Sequence, residues 1–267
     1  MRRMSLLFLC VAACMLSLGS VARAVEMRIA YEDNEQPPYI YGNSAAIPEK
    51  PGLSVEMILM LPEKIPGLEI KLVRMPWLRC IVELENNEVD GIFNASYKKE
   101  RLRIGRYPTV DGTPDGPVDV DSRIAGMTYS FYVLRKNVGS FQWDGVHFDT
   151  IRNAGTIGTP LGYSIAGDLR EQGVAVDESG GPETNLAKLA GGRFVAAALL
   201  EATVEGLIRS NALYSEIVKV NPPLETKPYY LMLSRAFVEE HPELSRRIWG
   251  ALREIRDTKT AEILTRY

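Results

Sequence analysis

The chain has 267 residues, with 31 Lys and Arg against 34 Asp and Glu, 46% hydrophobic content and 24% charge. A net acidic balance without a long basic tract argues against nucleic-acid binding. The composition is globular rather than disordered, and the length is enough for two lobes.

The first 24 residues read as a secretory leader. A basic start (Arg2, Arg3) precedes an uncharged run of 14 residues from Leu6 to Gly19, and Ala22-Arg23-Ala24 forms a small-x-small exit. The run is too short to span a bilayer. Cleavage after Ala24 leaves 243 residues and takes the basic count from 31 to 28, so the mature net charge is −6. Val11-Ala12-Ala13-Cys14 also has the form of a lipoprotein processing site, but the apolar run continues past it to Leu18, which favours cleavage after Ala24. Cys10 and Cys14 lie in the leader, so Cys80 remains alone and no intrachain disulfide is expected.

In the mature chain, Met27 to Tyr31 predicts a strand, followed by a turn-rich loop from Asp33 to Pro51. Ser54 is placed to cap a helix through Met57, Ile58 and Leu61 that ends at Pro62. Leu68 to Val73 predicts a second strand. Trp77 to Leu84 predicts a helix with Trp77, Leu78, Ile81, Val82 and Leu84 inward, and Gly91 to Phe93 a third strand. Strand–helix alternation of this kind predicts a parallel sheet covered by helices. Residues 109 to 126 have loop composition. A second α/β series follows: strands at Tyr129 to Leu134, Thr156 to Gly158, Val174 to Val176, Val195 to Leu199 and Tyr230 to Ser234, with helices at Ser164 to Gln172, Thr184 to Ala190 and Glu201 to Ser210. Pro242 to Leu264 reads as an amphipathic helix. Two series separated by Pro- and Gly-rich breaks predict two lobes and a cleft.

Several residues carry the order of a known pattern. Met75-Pro76-Trp77-Leu78-Arg79 is followed by Leu84-Glu85-Asn86-Asn87-Glu88-Val89-Asp90-Gly91, then Lys99-Glu100-Arg101 and Tyr107-Pro108. Gly162-Tyr163-Ser164, the Gly191-Gly192-Arg193 turn and a C-terminal Pro-Glu-Leu helix complete it. This order resembles the family 3 extracellular solute-binding proteins, the receptors of amino-acid ABC importers, of which this chain reads as a divergent member. The resemblance implies an α/β fold of the type II periplasmic binding proteins, with two lobes joined by two crossover segments. Lobe 1 is then 25–109 with 223–267, and lobe 2 is 110–222, with hinges near Asp121 to Thr128 and Asn221 to Pro228.

It also implies ligand groups at Tyr39, Trp77, Asn94 to Ser96, Arg101 and Gly162-Tyr163-Ser164, with Arg101 holding a ligand carboxylate. The chemistry agrees, since a planar guanidinium grips a carboxylate by two parallel hydrogen bonds. Tyr39 and Trp77 follow strand ends, where open α/β sheets bind ligands. A helix start at Ser164 offers free N–H groups to an anion. Three departures from the pattern are visible. Asp90 to Arg101 is one residue shorter than usual, leaving open which of Asn94, Ala95 and Ser96 lines the cleft. The usual strand aspartate of the second lobe is Val195, and the acid that binds a ligand amino group falls on Leu200. Glu201 takes that role only with a one-residue shift. The usual Gly-Thr before the second-lobe helix is Gly162-Tyr163.

The function implied is capture of a small, carboxylate-bearing solute in the periplasm by hinge closure, and its presentation to an inner-membrane ABC permease. The protein is then a monomer with no cofactor, catalytic residue or nucleic-acid partner. No metal is expected either, because His147 and His241 are the only histidines and lie far apart. Two rivals remain: a dehydratase-like periplasmic enzyme using Glu32 or Glu201, and a stand-alone sensor or partner module.

Overall fold

The computed structural model describes residues 24–267, so leader residues 1–23, with the alternative processing site at Cys14, lie outside the described residues. The elements in chain order are β1 (Val25–Glu32), α1 (Leu53–Leu59), α2 (Leu61–Lys64), β2 (Leu68–Met75), α3 (Trp77–Glu85), β3 (Gly91–Ser96), β4 (Gly105–Arg106), β5 (Ala125–Leu134), α4 (Asp149–Arg152), β6 (Ile157–Thr159) and α5 (Ser164–Glu171). Then follow β7 (Val176–Glu178), α6 (Pro182–Ala190), β8 (Ala196–Leu200), α7 (Glu201–Ser210), β9 (Ile217–Lys219), β10 (Glu225–Ser234), α8 (Arg235–Glu240) and α9 (Pro242–Leu264). No described helix is long and apolar enough to cross a membrane.

The strand order β2-β1-β3-β10-β5-β8-β6-β7 explains how one chain makes two lobes. β1 pairs in parallel with β2 and β3, and β6 pairs in parallel with β7 and β8. These are two parallel β-α-β windings, as the alternating pattern predicts. They are not one parallel sheet, because β10 and β5 lie between them and are antiparallel to their neighbours. β10 pairs with β5 from Glu225 to Tyr229 and with β3 from Tyr229 to Leu233. β5 pairs with β10 from Ala125 to Tyr129 and with β8 from Tyr129 to Tyr132. The paired stretch of β5 and β10 is therefore the double crossover between the two halves.

Packing departs from local pattern in instructive places. Ser54 lies inside α1, and the residue at the helix start is Gly52. Gly52 has φ 105°, and a Cβ there would sit 2.4 Å from the Tyr39 carbonyl oxygen, so only glycine fits. Pro62 lies in the first turn of α2 rather than only ending a helix, which suits its missing N–H. In α3 the buried positions are Trp77, Cys80 and Leu84, while Leu78 and Val82 are 42% and 50% exposed. A single core contact stripe is narrower than the apolar run in the sequence. The C-terminal helix α9 buries Ile248, Leu252 and Ile255, and its Trp249 indole N–H donates to the Leu231 carbonyl at 2.9 Å, tying the chain end to the middle of β10.

Candidate functional site

The carboxyl ends of β1, β2, β3, β6 and β8 converge on one cleft, the position where open α/β sheets bind ligands. Glu32 ends β1, Trp77 follows β2, Asn94 and Ser96 end β3, Tyr163 and Ser164 follow β6, and Leu200 ends β8. These residues line a cavity together with Gln36, Arg101, Tyr129 and Tyr229. Its free volume is about 10 Å³, roughly the room for one water. A larger solute is admitted only if the two sides part. Tyr129 and Tyr229 come from the two crossover strands, and their hydroxyls share a hydrogen bond of 2.7 Å at the cavity wall. The crossover strands and the cavity are thus in contact.

Six residues expected at the ligand, Trp77, Asn94, Ser96, Arg101, Tyr163 and Ser164, are brought to this cavity. Arg101, on a 3-10 turn (Lys99–Arg103), donates to the Ser96 carbonyl at 2.9 Å and to the Gly162 carbonyl at 3.2 Å. Its guanidinium carbon lies 5.4 Å from the centroid of the Trp77 ring, within cation–π range. The Trp77 indole N–H also donates to the Gly162 carbonyl, at 3.1 Å. Gly162 therefore contributes its backbone oxygen, and its φ of 76° lets that peptide face the first lobe. Ser96 and Ser164 share a hydroxyl hydrogen bond of 2.7 Å across the cleft.

Asn94 owes its position to a bulge. Between the pairs Tyr230↔Ala95 and Met232↔Ile92, β10 has only Leu231, whereas β3 has Phe93 and Asn94. Two residues opposing one bend the strand and re-aim a side chain. Asn94 has φ 55°, a left-handed conformation that asparagine tolerates. Its side chain is buried, and both Oδ1 and Nδ2 lack a hydrogen-bond partner.

Two expected residues are not brought to the cavity. The Tyr39 hydroxyl turns to the Gly126 carbonyl at 3.3 Å, and the ring lines a separate groove with Pro38, Leu53 and Arg123. Glu201 is the first residue of α7; its carboxylate accepts from the Ser130 hydroxyl at 2.6 Å and lies 3.4 Å from Lys219. The helix start turns it off the cleft and leaves Leu200 on the wall. A strand ending in a helix reverses facing within one residue, so the one-residue shift does not deliver the acid.

The acid in the cleft is Glu32. It accepts from Asn34 Nδ2 at 3.0 Å, from Gln36 Nε2, and from the Tyr163 hydroxyl at 2.8 Å. Burial pushes its carboxyl from 4.5 up to about 7, against the opposing effect of these donors. Glu32 and Gln36 follow a short strand with no motif of their own. The available signal was position: Glu32 ends the first strand, where the topology aims side chains at the cleft. A second cross-cleft link is ionic. Lys98 pairs with Asp168 and lies 3.4 Å from Glu171 on α5, and Asp168 also pairs with the buried Lys227 of β10. Among the described residues, no group of three His, Cys, Asp or Glu side chains is arranged to hold a metal.

No protein-family model matches the sequence, and no curated protein matches it. Solved structures do. A histidine kinase sensor domain with similarity to periplasmic binding proteins superposes with a TM-score of 0.68 at 17% identity, over 90% of this chain and 95% of that one. A mutant of ArgBP from T. maritima gives 0.68 at 16% identity, over 91% and 94%. The GluR0 ligand-binding core from Nostoc punctiforme, in complex with L-glutamate, gives 0.65 at 16%, over 90% and 98%. The chain has the two-lobed periplasmic binding protein fold. The likeness to the family 3 proteins read from Pro76-Trp77, Asp90-Gly91 and Glu100-Arg101 is thus matched by the architecture. The cavity lies beside the paired β5 and β10 strands, between the winding of β1 to β3 and that of β6 to β8.

Proposed function

We propose that the protein captures a small, carboxylate-bearing solute between its lobes by hinge closure. The observation that carries this reading is Arg101, whose guanidinium spans the cleft from Ser96 to Gly162 beside the Trp77 ring. A guanidinium in a largely buried cleft, with the serine hydroxyls of Ser96 and Ser164 next to it, suits a carboxylate. Lobe 1 is 25–109 with 223–267 and lobe 2 is 110–222. The solute contacts both, so it stabilises the closed arrangement by the contacts that only closure makes. A thermal-shift screen of amino acids and small carboxylates tests this. A carboxylate-bearing compound at about one hundred times its dissociation constant should add about 2.7 kcal/mol of stability. If no such compound shifts the transition, the reading fails.

In this reading the solute leaves unchanged, and Glu32 is no catalyst. It is the sole carboxylate among the described residues that line the cavity. The protein acts in the periplasm after cleavage at Ala24 and hands its solute to an inner-membrane ABC permease. N-terminal sequencing of the periplasmic fraction should begin at Val25; an acylated chain beginning at Cys14 would replace this with a membrane-anchored form. A sensor role is the second reading, favoured by the superposition on a histidine kinase sensor domain. The same closure would then signal to a partner domain instead of a permease.

A further inference from the structure

We propose that the chain carries a second binding site, in a groove between the segment from Tyr107 to Ser122 and the helices α8 and α9, and that this groove takes an amphipathic organic anion: a flat apolar body bearing one acidic group. The groove has about 670 Å³ of free volume, a size usual for small-molecule sites, against about 10 Å³ in the interlobe cavity. The two share no lining residue, so the groove is a site of its own and not an extension of the cleft.

α9 turns Arg246, Trp249, Gly250 and Arg253 to the groove, a spacing that keeps all four on one stripe of the helix. Gly250 lies inside this 23-residue helix, where glycine lowers helix stability relative to alanine. Neither backbone nor packing requires it: its φ is not positive, and a Cβ there would meet no atom within 4 Å. What the missing side chain leaves is open space beside Trp249, where a flat body can approach the helix backbone. Trp249 is fixed by its indole bond to the Leu231 carbonyl, and Tyr107, Pro108 and Pro242 supply further apolar wall.

The charge of the ligand follows from the groups around that space. Arg106, Arg246 and Arg253 line the groove, together with Asp111, Asp119 and Glu239. The two aspartates are turned into their own loop. Asp111 accepts from the Thr113 N–H at 3.0 Å and from the Thr113 hydroxyl at 2.8 Å. Asp119 accepts from the Asp121 N–H at 3.0 Å and from the Ser122 hydroxyl at 2.6 Å. The arginines keep donors to spare. Arg106 uses Nη1 alone, on the Leu102 and Gly105 carbonyls. Arg246 pairs with Glu243 of its own helix, and the Arg253 guanidinium comes no closer than 3.7 Å to the Asp121 carboxylate. A guanidinium with unused N–H groups beside apolar surface suits the acidic group of a ligand whose body lies over Gly250. Glu239, the acid left over, disfavours a second negative charge on that ligand.

Fluorescence titration tests this with 8-anilinonaphthalene-1-sulfonate, a flat apolar anion, and N-phenyl-1-naphthylamine, a like body without the charge. The sulfonate should fill one saturable site and bind more tightly than the amine. Gly250→Leu puts a side chain into the groove and should weaken both probes by about tenfold or more. Gly250→Ala should raise the thermal transition by about 2 to 4 °C, as expected of a glycine not kept for folding. Arg253→Ala should weaken the sulfonate by about two- to fivefold and leave the amine unchanged. Arg247→Ala removes the same charge from an exposed position of α9 that lines a different groove, and should change neither probe. If the sulfonate shows no saturable site, or if Gly250→Leu binds it as the parent does, the inference falls. It falls equally if Gly250→Ala lowers the thermal transition, or if Arg253→Ala and Arg247→Ala cost the sulfonate the same. Should Gly250→Leu fail to fold, the comparison of Arg253→Ala with Arg247→Ala decides alone.

Discussion

Replacing Arg101 with alanine is expected to weaken solute binding by about 2 to 5 kcal/mol, roughly thirty-fold to several thousand-fold. Two effects add in the same direction. The variant removes charge-assisted hydrogen bonds to the solute carboxylate, each contributing about 1.5 to 3 kcal/mol, and leaves that charge buried without a partner. It also removes the bonds from Arg101 to the Ser96 and Gly162 carbonyls, the second of which joins the lobes when the cleft is shut. Arg101→Lys should recover only part, because an ammonium cannot make a planar two-bond contact or stack on Trp77. Arg103→Ala is the control from the same basic run. Its guanidinium is exposed and pairs with Glu85 at 2.6 Å, so its loss should change binding by less than about 1 kcal/mol. Calorimetric titration with the compound found by the thermal screen decides the matter. An Arg101→Ala protein that binds within about threefold of the parent would place the carboxylate elsewhere.

The second large effect is on stability, and its sign follows from Glu32. Burial raises its carboxyl from 4.5 to about 7 in the folded chain. Between those values the folded state holds a proton that the unfolded state has lost, so stability falls as pH rises. The contribution is fully present below about pH 4.5 and gone above about pH 7. The shift corresponds to about 3 kcal/mol. Glu32→Gln is uncharged at every pH and should lack this part of the profile. Near pH 8 it should be more stable than the parent by up to about 3 kcal/mol. Denaturant unfolding of both proteins across this range measures the difference. Parallel profiles would show that Glu32 keeps its ordinary acidity and is neutralised by something in the cleft. Stabilisation by removing a charge from the site is the pattern expected of a group retained for function rather than for folding.

Local periodicity was enough to place most of the elements. The helix from Pro242 to Leu264 and the helix from Glu201 to Ser210 have the bounds their sequence predicts. The order of Trp77, Asp90-Gly91 and Arg101 pointed to the binding-protein fold. It also named six of the residues that line the cavity. Such features are readable because they repeat within a few residues: apolar spacing, Pro at a helix start and Gly at a tight turn are all local. The sequence likewise determined that Leu200 stands where the pattern has an acid.

Tertiary structure decided the rest, for reasons of register and facing. Glu32 and Tyr163 are 131 residues apart, and only the winding of β1 and β6 toward a common edge joins them. Asn94 faces the cavity unpartnered because β10 gives one residue where β3 gives two, a mismatch that neither strand reveals alone. Glu201 leaves the cleft because α7 begins at that residue, and Tyr39 leaves it because its hydroxyl finds the Gly126 carbonyl of the crossover. A residue's distance from a strand end sets which edge of the sheet it reaches. Which way its side chain points there depends on pairing partners far along the chain, whose register no local pattern encodes.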